Sequence, residues 1–231
     1  MAIRGRVVLV TGASRGIGRA VAAEFLRAGA TVHAWGRDPD ALDETRRALA
    51  AVGGRFETAR VDVRDEDAVA AHIGSLERLD VLVNNAGIAR VRPLLETATQ
   101  ELREILDVNV VGAFVVLREA VRKMLATGGG HVINIASDAA IRGIARMAPY
   151  VASKHALLGM GRAVSLELRA QGIRVTTFCP GPVHTDILGP GSGNPKALPP
   201  AELAKTVVHL ASTPASVEVQ ELLVQPTWLG G

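Results

Sequence analysis

The segment "PYVASK" (149–154) holds the only tyrosine of the chain, Tyr150, with Lys154 four residues after it. Positions four apart on a helix share one face, so a phenol and an ammonium would stand side by side. A free phenol titrates at about 10. A nearby positive charge favours its anion and should lower that value, which suits proton exchange with a reacting oxygen. Taken singly, Tyr150 could equally be a packing ring and Lys154 a solvated side chain. Two further polar residues stand out against apolar surroundings: Ser137 at the end of "HVINIAS" and Asn109 within "DVNVVGAF". Upstream, "TGASRGIG" (11–18) forms a glycine-rich turn that opens a helix. Glycines let the backbone approach a phosphate, and a helix start offers free N–H groups and a positive dipole end. A plain strand-to-helix connection could use the same glycines.

The elements that must position these groups alternate along the chain. Short apolar, β-branched runs read as strands at 6–10, 31–35, within 55–63, at 81–87, 131–137, 174–179 and 220–224. Amphipathic stretches between them read as helices at 16–30, 39–52, 65–76, 97–126 (one helix or two), 149–172 and 200–212. Thr97 and Gln100 have capping-box spacing. Strands this apolar must be covered on both faces, so the fold expected is a doubly wound α/β sheet, seven-stranded and mainly parallel. Such sheets bind ligands at the carboxyl ends of their strands. The polar motifs fall there: Thr11–Gly18, Gly36–Asp38, Asp62, Asn84–Gly87, Ser137 and Pro180–Thr185 each follow or end a strand. The length of 231 residues suits a single domain spanning 1–231.

Six motifs in this order resemble the short-chain dehydrogenase/reductase family, in its single-domain branch. They are "TGASRGIG", "NNAG" (84–87), Asn109, Ser137, "YVASK" (150–154) and "PGPVHT" (180–185). The resemblance implies a Rossmann fold and hydride transfer between a nicotinamide cofactor and a carbonyl or alcohol. It implies that Tyr150 exchanges the proton, that Ser137 bonds the substrate oxygen, and that Lys154 holds the nicotinamide ribose. Asn109 would bend its helix and anchor a water on the proton path to Lys154. The cofactor would lie on Gly12, Ser14, Arg15, Gly16, Ile17 and Gly18, with Asp62 and Val63 at the adenine. Asn85, Ala86 and Gly87 would line its middle. Pro180, Gly181, Val183 and Thr185 would hold the carboxamide.

In that family a carboxylate ending the second strand accepts from the ribose 2′-OH of NAD. Here the place falls on Gly36, followed by Arg37, and Arg15 adds a second cation. Two guanidinium groups suit a 2′-phosphate, so NADP(H) is expected over NAD(H). Asp38, turned inward, would argue the other way.

Composition excludes other classes. Hydrophobic residues make up 48% and aromatics 3%, with a net charge of +3, which offers neither the basic stripe nor the stacking rings of a nucleic-acid binder. The apolar runs are strand-sized, so no membrane span is expected, and the N-terminus has no signal-peptide pattern. One cysteine, Cys179, rules out an internal disulfide and a thiolate metal cluster; no metal is expected, and a cytoplasmic setting is. The thiol, His155 and His184 read as structural. Arg92 or Arg142 would favour an anionic substrate or an acyl-carrier partner. The segment 186–200 reads as a short mobile lid, so the substrate stays open. The two long helices suggest a homodimer or homotetramer. The alternatives are a 3-oxoacyl carrier-protein reductase and a dinucleotide-binding regulator without turnover.

Overall fold

Successive side chains of β1 (Val7–Val10) point to opposite faces, and both faces are apolar. Val8 and Val10 join one core cluster, and Leu9 joins the other. The same split recurs in β4 (Val81–Asn84), where Val81 and Val83 oppose Leu82. Helices therefore cover both sides. α1 (Gly16–Arg27), α2 (Pro39–Val52) and α7 (Pro200–Ser212) supply Phe25, Leu49 and Val207 to the first cluster. α3 (Glu66–Ser75), α5 (Ala113–Ala126) and α6 (Ala148–Leu168) supply Ile73, Val116 and Val164 to the second. A fully buried ring such as Phe25 contributes roughly 1.5–3 kcal/mol through its area alone.

The computed structural model describes residues 2–189 and 191–230. Met1 and Gly231, at the ends of the expected domain, lie outside the described residues, as does Pro190 in the expected lid. The remaining strands are β2 (Thr31–Gly36), β3 (Phe56–Arg60), β5 (Gly130–Ile135), β6 (Ile173–Pro180) and β7 (Glu221–Val224). They form one seven-stranded sheet in the order β3-β2-β1-β4-β5-β6-β7. All six neighbouring pairs are parallel, as the doubly wound reading requires. From β1 the sheet grows outward through β2 and from β4 through β5, so the chain reverses direction between β1 and β4. A ligand crevice opens at that switch point.

The stretch 97–126 is not a plain helix. α4 (Thr99–Leu106) passes through a π turn (Asp107–Gly112) into α5. π turns insert a residue into a helix and occur mostly at functional sites; this one carries Asn109. The capping box expected at Thr97 does not form. Ala98 is the N-cap, and the Thr97 hydroxyl donates to the Pro93 carbonyl at 2.9 Å. The end of the expected lid contacts its surroundings at Leu198 and Lys196. Val183 bridges to Leu198, and the Trp228 indole donates to the Lys196 carbonyl at 2.6 Å.

Candidate active site

The glycine turn is held by its neighbours. The Thr11 hydroxyl accepts from the backbone N–H groups of Asn85 and Ala86, both at 3.0 Å. The Asn85 amide donates back to the carbonyls of Thr11 and Gly12 at 2.9 and 3.1 Å. Gly12 has a φ of +62°, and a Cβ there would lie 2.8 Å from the Ala86 Cα. Gly18 leaves even less room: its Cβ would come within 2.3 Å of the Gly12 carbonyl oxygen. These glycines thus permit the turns after β1 and β4 to touch. On the other side, Arg19 bonds the Ser14 carbonyl and the buried Thr45 hydroxyl, which itself donates to the Ala13 carbonyl at 3.1 Å. Sequence reading passed over Arg19 and Thr45; their partners lie five to more than thirty residues away, so spacing carried no signal.

A groove runs along the strand ends. Gly12, Ser14, Arg15, Gly16 and Ile17 line it beneath β1, with Arg37 at the end of β2. Asp62 and Val63 line it after β3, Asn85, Ala86 and Gly87 after β4, and Thr185 beyond β6. Four expected residues stand back from it. Gly18 packs against Gly12, Pro180 ends β6, and the Gly181 N–H is spent on the Val224 carbonyl at 2.7 Å. Val183 packs against the core beside α1 and α7.

Charges at the β2 end differ in their partners, and Arg37 lies close enough to Asp62 to favour its carboxylate. Asp38 caps α2, accepting from the N–H groups of Asp40 and Ala41 at 3.1 and 3.2 Å. Asp62 binds the Arg64 guanidinium at 3.0 Å, which holds its carboxyl below the usual range. Among the described residues Arg15 and Arg37 make no ion pair.

Beyond Gly87 lies a buried polar cluster. Ser137 extends β5, and Tyr150 and Lys154 sit on the first turns of α6, with Tyr150 only 8% exposed and Lys154 4%. The Ser137 hydroxyl neighbours the Tyr150 phenol and favours its anion. The Lys154 Nζ donates to the Ile135 carbonyl at 2.9 Å and stands 5.6 Å from the centre of the Tyr150 ring. Asn109 uses its whole amide as a strut. It accepts from the Ile88 N–H at 2.8 Å and donates to the Ile88 carbonyl at 2.9 Å and to Ser153 at 3.0 Å. Ser153 donates onward to the Tyr150 carbonyl at 2.7 Å. A Cβ on Gly87 would lie 3.3 Å from Asn109 Oδ1 and 3.7 Å from Lys154 Nζ, so the absence of a side chain there joins groove to cluster.

Lys154 is expected to lower the phenol together with an oxidised nicotinamide; the chain's own groups alone act the other way. Burial pushes Tyr150 up to about 12, with Ser137 opposing and the Asp138 carboxylate adding to the rise. Burial also pushes Lys154 down to about 8. The reason is that both groups are withdrawn from water, and desolvation outweighs a 5.6 Å approach to the ring. Nor is there a free guanidinium for an anionic substrate at the expected places. Arg142 pairs with Asp138 and Arg92 with Glu101, while Arg90 binds Glu104. Cys179 is a buried apolar side chain, as expected.

The match to the family of short chain dehydrogenases covers residues 6–194, taking in the groove and the whole cluster. The chain belongs to the short-chain dehydrogenase/reductase family. Its members are oxidoreductases that use a nicotinamide dinucleotide. Glycine betaine reductase of Emericella nidulans is 35% identical over 97% of this chain, which spans 19% of that longer protein. D-threitol dehydrogenase of Mycolicibacterium smegmatis is 34% identical over 92% of this chain and 88% of its own. A metagenomic short-chain oxidoreductase solved with NADP is 35% identical, with a TM-score of 0.86 over 98% of this chain and 99% of its own. A short-chain dehydrogenase from Mycobacterium paratuberculosis, solved with NAD, is 32% identical, with a TM-score of 0.89 over 98% of both. Among the described residues no helix of this short-chain dehydrogenase/reductase is long and apolar enough to cross a membrane, and no cluster could hold a metal.

Proposed function

We propose that the protein interconverts a small carbonyl compound and its alcohol, with NADP(H) in the groove and Tyr150 as the acid and base. The observation that carries the reading is the Ser137–Tyr150–Lys154 cluster meeting the groove at Gly87. The groove suits a dinucleotide: Gly87 presents no side chain where Lys154 and Asn109 approach, and Arg15 and Arg37 bring two guanidinium groups to its lining. When bound, the nicotinamide supplies or accepts the hydride. Tyr150, held protonated, gives its proton to the substrate oxygen as a new O–H bond forms. Ser137 bonds the same oxygen while charge develops on it. Lys154, held by Ile135, stabilises the phenolate left behind. Asn109 fixes the π turn and, through Ser153, the start of α6.

Cofactor preference follows from the β2 end. Asp38, which follows β2, caps α2, and the Arg37 and Arg15 guanidinium groups in the groove favour a 2′-phosphate. Exposed Val111 in the π turn, Phe114 at the start of α5 and Leu166 on α6 support assembly with further copies, and the one buried thiol accords with a cytoplasmic setting. The test is a panel of aldehydes, ketones, 3-oxo esters and sugars incubated with NADPH, following the loss of its absorbance. Turnover of at least one class supports the reading; no loss with any member sinks it.

A further inference from the structure

The ring of Tyr150 is walled by aliphatic side chains. Ala89, from the turn after β4, and Ala139, from the 3₁₀ turn after Ser137 (Asp138–Ala140), form one buried cluster with it. Ile144, Met147 and Val151 pack against that cluster and are only half-buried. The two stretches that carry this wall touch each other: the Arg92 N–H donates to the Arg146 carbonyl at 2.7 Å. On the groove side, Ile88 and the 42% exposed Ile187 continue the apolar lining.

The same stretches are poor in groups that could recognise a hydroxyl. Residues 88–96 and 139–149 contain no serine, threonine, asparagine, glutamine or histidine. Their polar side chains are Arg90, Arg92, Glu96, Arg142 and Arg146. Arg90, Arg92 and Arg142 pair with Glu104, Glu101 and Asp138, and Glu96 and Arg146 are exposed. A polyol entering such a site gives up water for no hydrogen bond in return, which is costly. An aliphatic chain gains from the same surface.

We propose that the substrate is an uncharged carbonyl compound with an apolar body, and that Ile144 and Met147 set this preference. The proposal rests on the oxidoreductase reading above, in which the carbonyl oxygen sits at Tyr150. A carbonyl held there has its body against the half-open side chains that pack on the ring. Specificity then comes from apolar contact along the body of the substrate, while Tyr150 and Ser137 fix its reacting end.

The test is a series of straight-chain methyl ketones, from four carbons to nine, reduced with NADPH. Each added methylene should raise kcat/KM by about three- to fourfold until the wall is covered. The trihydroxy analogue of the four-carbon ketone should fall below its parent by about 10²-fold. An eight-carbon methyl ketone ending in a carboxylate should fall below the uncharged ketone by at least about tenfold. Met147→Gln and Ile144→Asn should each cut the advantage of the nine-carbon over the four-carbon ketone by about tenfold. If one variant does not fold, the other and the wild-type series decide. A flat series, or a preference for the trihydroxy ketone, overturns the proposal. So does a preference for the carboxylate, which would point to Arg146 instead.

A second measurement needs no turnover. Unreactive primary amides of the same chain lengths are titrated calorimetrically into the protein with NADPH present. Their Kd should fall by the same factor per methylene, with a negative heat-capacity change. The gain should shrink in Met147→Gln. If no ketone is reduced, the oxidoreductase reading fails and the amides still decide the wall: a Kd that falls with chain length supports it, and a Kd independent of chain length overturns it.

Discussion

The Lys154 ammonium is bonded to the Ile135 carbonyl at 2.9 Å, while the ring of Tyr150 lies 5.6 Å from the same nitrogen. The strand below, not the phenol, sets where this charge sits. Its burial has a consequence for stability. Lys154 titrates at about 8 in the folded chain against 10.5 for the free side chain. Between those values the unfolded chain binds the extra proton, so stability rises with pH.

We therefore expect Lys154→Met to behave in two separable ways. Its kcat/KM should fall by roughly 10²-fold or more. Its urea midpoint should exceed that of the wild type most below pH 8, and the gap should close as the pH approaches 10.5. Paired denaturation curves at neutral and alkaline pH read this. A gap that widens with pH would contradict the sign.

His131 should make the fold sensitive to acid. It is 2% exposed at the start of β5, bonds Thr176 Oγ1 at 2.8 Å, and is driven down to about 3 by burial and by Arg174 and Arg6. Its folded value is depressed, so below about pH 6.5 the unfolded chain takes up a proton that the native chain refuses. Stability should drop by up to about 1.4 kcal/mol per pH unit across that window. His131→Gln should flatten the decline, as thermal melts from pH 7 to pH 4 can show.

Much of the fold was legible before the structure. Strands with Val8 and Val10 on one face and Leu9 on the other announce a sheet covered on both sides, and Pro39 and Gly53 mark the ends of α2. The π turn was not, because "DVNVVG" continues the apolar pattern of a plain helix and only the ties from Asn109 to Ile88 and Ser153 mark the extra residue. The state of the arginines was hidden for a related reason. Arg90 and Arg92 find Glu104 and Glu101 across a loop and a helix. Spacing correctly put Tyr150 and Lys154 on one face, but their proton affinities depend on burial, which spacing does not carry.

Gly12 should tolerate no side chain. Gly12→Ala places a Cβ 2.8 Å from the backbone of Ala86 at a φ of +62°. The turns after β1 and β4 would have to part, costing about 1–3 kcal/mol. Differential scanning calorimetry should show a lower Tm, and KM for the cofactor should rise with it. An unchanged Tm would mean that the two turns do not depend on this contact.

Arg37 should discriminate between the two nicotinamide cofactors. Removing a guanidinium from a phosphate weakens a charge-assisted bond and leaves a 2′-OH nearly unaffected. We expect Arg37→Ala to raise KM for NADPH about tenfold or more and KM for NADH far less. Equal changes for both would argue that Arg37 faces solvent when the cofactor is bound.

The most direct measurement is single-turnover reduction by Tyr150→Phe with saturating NADPH and the best substrate of the panel. The phenol oxygen is all that this variant removes. We expect cofactor affinity within about threefold of the wild type and a rate at least ~10²-fold lower. A Tyr150→Phe rate equal to that of the wild type would contradict the assignment of Tyr150 as the proton donor, and with it the account of the site.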